Sequence, residues 1–215
     1  MQLISLNVGQ PREVLWKGRT VTTGIFKAPV AGRVALRRHN LDGDGQGALE
    51  VHGGPYKAVY LYPAEHYAVW RQELPELEFP WGIFGENFTT EGLFEETMYI
   101  GDRLRIGTAE VRITEPRMPC WRLGLRFGRD DMIKRFLASR RTGFYASVEQ
   151  EGDVEAGETF ALLSRPDHQV TVAEITRIYA FDKDDIEAMQ RVVQLEDLSP
   201  AWRDYFQQQI EKRVR

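Results

Sequence analysis

The residues of this sequence with the most chemistry surround its single cysteine, in the run Glu115-Pro116-Arg117-Met118-Pro119-Cys120-Trp121-Arg122. Thiolate is the reactive and metal-binding form of cysteine, and neighbouring cations favour it, so Arg117 and Arg122 make the Cys120 sulfur a candidate anionic ligand. Pro116 and Pro119 fix their own φ and bias Glu115 and Met118 toward extended backbone, which suits a thiol held in a set place after a strand. The competing reading is structural, since a lone cysteine is most often a small buried apolar side chain. One cysteine excludes an internal disulfide and a four-cysteine zinc site.

Other stretches offer weaker chemistry. In Val51-His52-Gly53-Gly54-Pro55-Tyr56-Lys57 the glycines allow close backbone approach to a ligand, while His52 supplies a titratable ring and Lys57 a fixed cation. A core histidine bonded to backbone accounts for His52 equally well. In Phe84-Gly85-Glu86-Asn87-Phe88, Asn87 is a potential donor to a ligand and Glu86 an anchor for a backbone amide, and turn stabilisation explains both. Thr142-Gly143-Phe144-Tyr145-Ala146 suits either a β-turn or a loop that closes over a bound group. His66, at an apparent helix start, reads as structural. Asp42-Gly43-Asp44-Gly45-Gln46-Gly47 begins like a calcium loop, but Gly53 stands where the bidentate glutamate belongs, so it reads as a glycine-rich turn.

These residues need elements to hold them. Short apolar or alternating runs at 2–8, 19–26, 32–36, 58–62, 97–100, 103–106, 110–114 and 159–163, separated by glycine turns such as 151–153, predict strands and a barrel. Apolar residues at three- and four-residue spacing predict covering helices over 63–74 and 129–138. After Leu163 the pattern changes to three short helices, capped by Thr171 with Glu174, by Asp182, and by Ser199 before Pro200. The chain thus divides into a mainly β (α+β) unit at 1–163, its core about 28–163, and a three-helix appendage at 164–215.

Composition bounds the function. A chain of 215 residues that is 42% hydrophobic can fill a core, and it lacks the roughly 18 consecutive apolar residues of a membrane span and a leader-like start, so a soluble cytoplasmic protein is expected. The net charge of −4 is unevenly spread: seven Lys/Arg face only Glu13 in residues 1–41, and eight face Asp130 and Asp131 in 117–141. If these basic segments meet, they form a pocket for an anion such as a phosphate. Nucleic acid is not expected, because the chain is acidic overall and shows no base-reading motif.

Taken in order, His52-Gly53-Gly54-Pro55 with Lys57, Tyr62-Pro63 with His66-Tyr67, Phe84-Gly85-Glu86-Asn87, Gly101-Asp102, Pro116-Arg117-Met118-Pro119-Cys120 and Gly143-Phe144-Tyr145 resemble the MOSC domain family, and most closely its YiiM-like branch. The resemblance spans about residues 1–213, including the three-helix appendage. It implies a MOSC-type β-barrel that holds the molybdenum cofactor (molybdopterin), with Cys120 as the protein ligand to molybdenum. It further implies Lys57, Arg117, Arg122, Gly53, Gly54 and Tyr145 around the cofactor, and His52 and Asn87 beside Cys120 in catalysis, His52 as proton donor. The branch is associated with reduction of N-hydroxylated compounds such as hydroxylaminopurines, a detoxification of modified bases, by electrons from a separate flavoprotein. The absence of a flavin or nicotinamide fingerprint agrees with an external donor. The same motifs suit a carrier of molybdenum cofactor or sulfur without organic turnover, or an interaction module whose helices dock a partner. Oligomeric state and physiological substrate are left open.

Overall fold

The computed structural model describes residues 1–45 and 53–214. Twelve strands are formed among the described residues. They are β1 (Gln2–Val8), β2 (Arg12–Trp16), β3 (Arg19–Thr23), β4 (Ala28–Pro29), β5 (Val34–Leu36), β6 (Val59–Pro63), β7 (Phe88–Glu91), β8 (Arg103–Ile106), β9 (Ala109–Pro116), β10 (Phe144–Gln150), β11 (Gly152–Val154) and β12 (Ala161–Ser164). Eight of them make one mixed sheet in the order β12-β8-β9-β10-β6-β7-β1-β4, antiparallel except for the β6–β7 pair. The sheet curls into a half-barrel. The β12 end comes round to β1, the strand next to the other edge, where Gln2 bridges Thr159, just ahead of β12, with the Phe160 amide bonded to the Met1 carbonyl.

The parallel pair requires a crossover, which helix α1 (Glu65–Glu73) supplies. Two further helices, α2 (Trp121–Phe127) and α3 (Met132–Ser139), cover the same face, and α4 (Val172–Ala180), α5 (Ile186–Val192) and α6 (Pro200–Val214) close the chain. Strand β6, Val59-Tyr60-Leu61-Tyr62-Pro63, is buried throughout and shows why the molecule has two cores. Successive side chains point to opposite faces. Val59 and Leu61 join the aliphatic core inside the half-barrel, while Tyr60 and Tyr62 join an aromatic layer with Tyr67, Trp70, Phe84 and Phe136 beneath α1–α3. The aliphatic core continues without interruption into α4–α6 through Val172, Ile175, Ala188, Met189 and Phe206.

Several local expectations are corrected. Residues 97–100 form a turn with a single bridge from Tyr99 to Thr171, because Met98 and Ile100 are anchored to the 170–172 segment and not to a ladder. Gly152 and Asp153 belong to β11, paired with β5, rather than to a turn. The segment 144–148 is central strand β10, since Gly143 at φ 65° turns the chain directly into the ladder between β9 and β6. A side chain at Gly143 would strike the Leu61 carbonyl and the Tyr60 ring. The first C-terminal helix is capped by the Thr171 hydroxyl accepting from Glu174 N (3.1 Å), whereas the second is capped by Asp185, not Asp182.

Candidate functional site

Cys120 sits at the first turn after β9, as the extended N-cap residue of α2, partly exposed, with its carbonyl accepting from Leu123 N at 2.9 Å. It lines an open cavity at the end of β9. The cavity also takes Arg117, Met118 and Arg122 from the same segment and Tyr60 and Tyr145 from the neighbouring strands β6 and β10. The end of β3 and the loop after it add Thr23, Ile25 and Lys27, and Asn87 and Lys57 also line it. Gly85, at φ 83°, passes so close to Ile25 that a side chain there would meet its Cγ1 at 2.9 Å. The two basic segments therefore converge here, and Arg12 and Arg126 meet nearby over the Phe26 ring, at 3.8 and 5.2 Å from its centre.

The cations are held differently. Arg117 is buried, 5% exposed, with its guanidinium 4.9 Å from the Phe136 ring centre and 5.5 Å from that of Tyr60. Its Nη1 has no hydrogen-bond partner among the described residues, and no carboxylate among them pairs with it. A buried, charged donor without an acceptor is costly unless a ligand completes it. Arg122 lies over the Trp121 ring at 4.6 Å. Lys57 ends a one-turn 3-10 helix, Pro55–Lys57, that is tied to β9 by Thr114 Oγ1 donating to the Tyr56 carbonyl (2.6 Å), which sets Nζ 3.5 Å from Glu115 Oε1. Burial raises the Glu115 pKa, with Lys57 opposing.

Tyr145 keeps its proton to about pH 12, chiefly through burial and against the pull of Arg117, so its hydroxyl is a donor at any working pH. Its strand is braced at the start by Glu95, which accepts from the Gly143 amide (2.6 Å) and contacts His66 Nε2 (2.8 Å). His66 is thus a buried structural group.

Asn87 lines the cavity, but its amide is engaged: Nδ2 donates to Asp44 Oδ2 (2.9 Å) and the Asn7 carbonyl (3.3 Å), and Oδ1 accepts from Tyr60 N (3.2 Å). It braces the wall rather than presenting a donor to a ligand. Glu86 beneath it accepts from Gly82 N, Phe84 N and the Thr89 and Tyr67 hydroxyls. The Asp44 carboxylate is taken up by Lys27 and Asn87, which gives the 42–45 turn a structural use. Gly53 and Gly54 precede the Lys57 turn and are not among the described lining. His52 lies outside the described residues.

Lys27, Asp44 and Tyr60 escaped the sequence reading. Lys27 and Asp44 are 17 residues apart with no periodic link, and Tyr60 looked like ordinary strand. A lysine next to a short Ala28-Pro29 bridge strand was the only local trace.

A β-rich half-barrel with a strand-end cysteine in a cationic cavity and a three-helix C-terminal layer defines a class. The chain belongs to the MOSC domain family, whose model matches residues 48–161, and the model of the YiiM-like, 3-alpha helix domain matches residues 170–213. The chain is 40% identical to the uncharacterized protein YflK of Bacillus subtilis (strain 168) over 95% of its own length and 92% of that protein. The crystal structure of YiiM from Geobacillus stearothermophilus superposes with a TM-score of 0.82 at 34% identity, covering 97% of this chain and 98% of that one. A protein named reductase from Gibberella moniliformis (strain M3125 / FGSC 7600) is 32% identical over 75% of this chain, which accounts for 29% of that longer protein.

Proposed function

We propose that the protein is a molybdenum cofactor-dependent reductase of N-hydroxylated compounds such as hydroxylaminopurines, with Cys120 as the protein ligand to molybdenum. MOSC domains are generally molybdenum cofactor-binding domains, and one relative carries the name reductase. The observation that carries the reading is the buried Arg117 guanidinium, with Nη1 lacking an acceptor, in one cavity with Cys120. The cofactor combines soft sulfur-bound metal with an anionic phosphate, and a thiolate beside cations fits both. Bound there, it would supply the two-electron reduction that takes the hydroxylamine oxygen off as water.

The chain's own residues have separable tasks. Arg117, Arg122 and Lys57 draw the anionic group in, and the aromatic faces of Tyr60 and Phe136 keep water from the far side of the Arg117 guanidinium. Tyr145 Oη offers a proton for hydrogen bonding without releasing it. His52 is the proton donor of the proposal, and Asn87 positions Asp44 and β6 at the wall. Electrons come from a separate flavoprotein.

The test is elemental analysis and turnover on protein made in a cofactor-producing host. Purified protein is expected to hold molybdenum and to reduce a hydroxylaminopurine with an artificial reductant, and Cys120→Ala is expected to keep its near-UV circular dichroism while losing turnover. Molybdenum without turnover would point to the carrier; undiminished activity in Cys120→Ala would defeat the ligand assignment.

A further inference from the structure

Cys120 is the only thiol of the chain, and it is partly exposed rather than sealed in the core. The charges around it have one sign. Lys27, Lys57, Arg117 and Arg122 all line its cavity, whereas no Asp or Glu is found among the described lining residues. The two lysines have carboxylate partners, Asp44 and Glu115, which hold them from outside that lining. Arg117 has no such carboxylate among the described residues: it is 5% exposed, and its Nη1 lacks a hydrogen-bond partner there. Burial works against its charge, yet the Tyr60, Tyr145 and Cys120 side chains hold its proton on, so the thiol and this guanidinium act on one another.

An accessible thiolate exchanges with a disulfide by attacking one of its sulfurs, at a rate set partly by how readily that disulfide reaches it. A cavity lined by two arginines, two paired lysines and no described carboxylate draws in negative disulfides and repels positive ones. A carboxylate brought in this way also supplies the acceptor that the Arg117 fork lacks. We propose that Cys120 is a modification site, forming a mixed disulfide with small carboxylate-bearing thiols whose carboxylate is held by Arg117. In the step the Cys120 thiolate attacks one sulfur of RS–SR, the reagent's S–S bond breaks as the Cys120–SR bond forms, and RS⁻ leaves. The electron count is unchanged overall. Attack by a free thiol reverses the exchange, so the group is a removable cover for the sulfur. The inference goes beyond the reductase reading and does not rest on it, since the exchange needs only the sulfur and the cations.

The test uses full-length protein prepared without molybdenum and three disulfides of different charge: oxidised glutathione (anionic), bis(2-hydroxyethyl) disulfide (neutral) and cystamine (cationic). Adduct growth is followed by intact-protein mass spectrometry, where one added group reports Cys120 because the chain has no other thiol. Each rate is divided by that of the same disulfide with N-acetylcysteinamide, which removes the reagent's intrinsic reactivity. At low ionic strength oxidised glutathione is expected to lead cystamine by at least about tenfold in this ratio, with the neutral disulfide between them, and the lead to shrink as salt is added. Arg117→Met and Arg122→Met are each expected to cut the lead, Arg117→Met the more, and dithiothreitol to restore the unmodified mass. The lead compares two reagents on one sulfur, so a general change in thiol reactivity cancels from it. Unchanged near-UV dichroism checks that each variant is folded; if Arg117→Met does not fold, Arg122→Met and the salt series decide the matter. No adduct, equal ratios for the three disulfides, or a lead that survives salt or the arginine substitutions would overturn the proposal.

Discussion

Two lysine–carboxylate pairs flank the cavity, and they are built to opposite ends. Lys27 and Asp44 are sealed, with side chains 7% and 1% exposed, both carboxylate oxygens bonded to the ammonium, and Asn87 and the Gly9 amide using the remaining acceptor capacity. Lys57 and Glu115 are loose: the lysine side chain is 28% exposed, the gap is 3.5 Å, and one carboxylate oxygen has no hydrogen bond. A closed pair fixes backbone segments, here joining the loop after β3 to the 41–45 turn. A pair held across a wider gap at a cavity wall constrains the backbone less. The same two residue types are therefore held tightly in one place and loosely in the other, and what separates them is how completely the fold has filled their acceptors.

The comparison is broken or upheld first by stability. Asp44→Ala leaves the Lys27 ammonium buried without its partner, and the expected loss is about 3–5 kcal/mol in urea unfolding. Glu115→Ala leaves a lysine that reaches water, and the expected loss is about 1 kcal/mol or less. Equal losses would mean that both pairs are structural.

Cofactor retention is the next largest effect. Lys57→Ala and Arg117→Ala each remove a charge-assisted contact of about 1.5–3 kcal/mol, so molybdenum remaining after dialysis should fall in both, with the fold kept. The Arg117 change also strips a cation from the Phe136 and Tyr60 rings, so its effect should be the greater. Unchanged occupancy in either variant removes that residue from the site.

Much of the architecture was legible because it is local. The alternation of β1 and β8 and the Thr171-to-Glu174 spacing each carry their own signal, and each folds as its pattern demands. Strand β10 was obscured by the turn chemistry of Thr142-Gly143 at its start, and β7 by its brevity and paired threonines. At the candidate site, Cys120 with two prolines before it and an arginine on each side is a signal contained within eight residues. The Lys27–Asp44 closure and the unsatisfied Glu115 oxygen have no such signal, since each depends on segments that only the folded sheet and α6 bring together.

The smallest effect is also the most discriminating, because it reads the ionisation of the loose pair directly. Burial raises the Glu115 pKa from 4.5, and Lys57 offsets only part of the shift. The folded state thus holds a proton that the unfolded chain has already released in the window just above 4.5. Stability in that window must fall as pH rises, by less than the single-proton limit of about 1.4 kcal/mol per pH unit. Glu115→Gln cannot titrate and lacks this component. Subtracting the variant's urea-unfolding profile from that of wild type should therefore leave a difference that declines from pH 4.5 upward and then levels once the carboxyl is charged in both states. A difference that is flat or climbs across that window would show Glu115 to be as well satisfied as Asp44, and would remove the distinction between the two pairs.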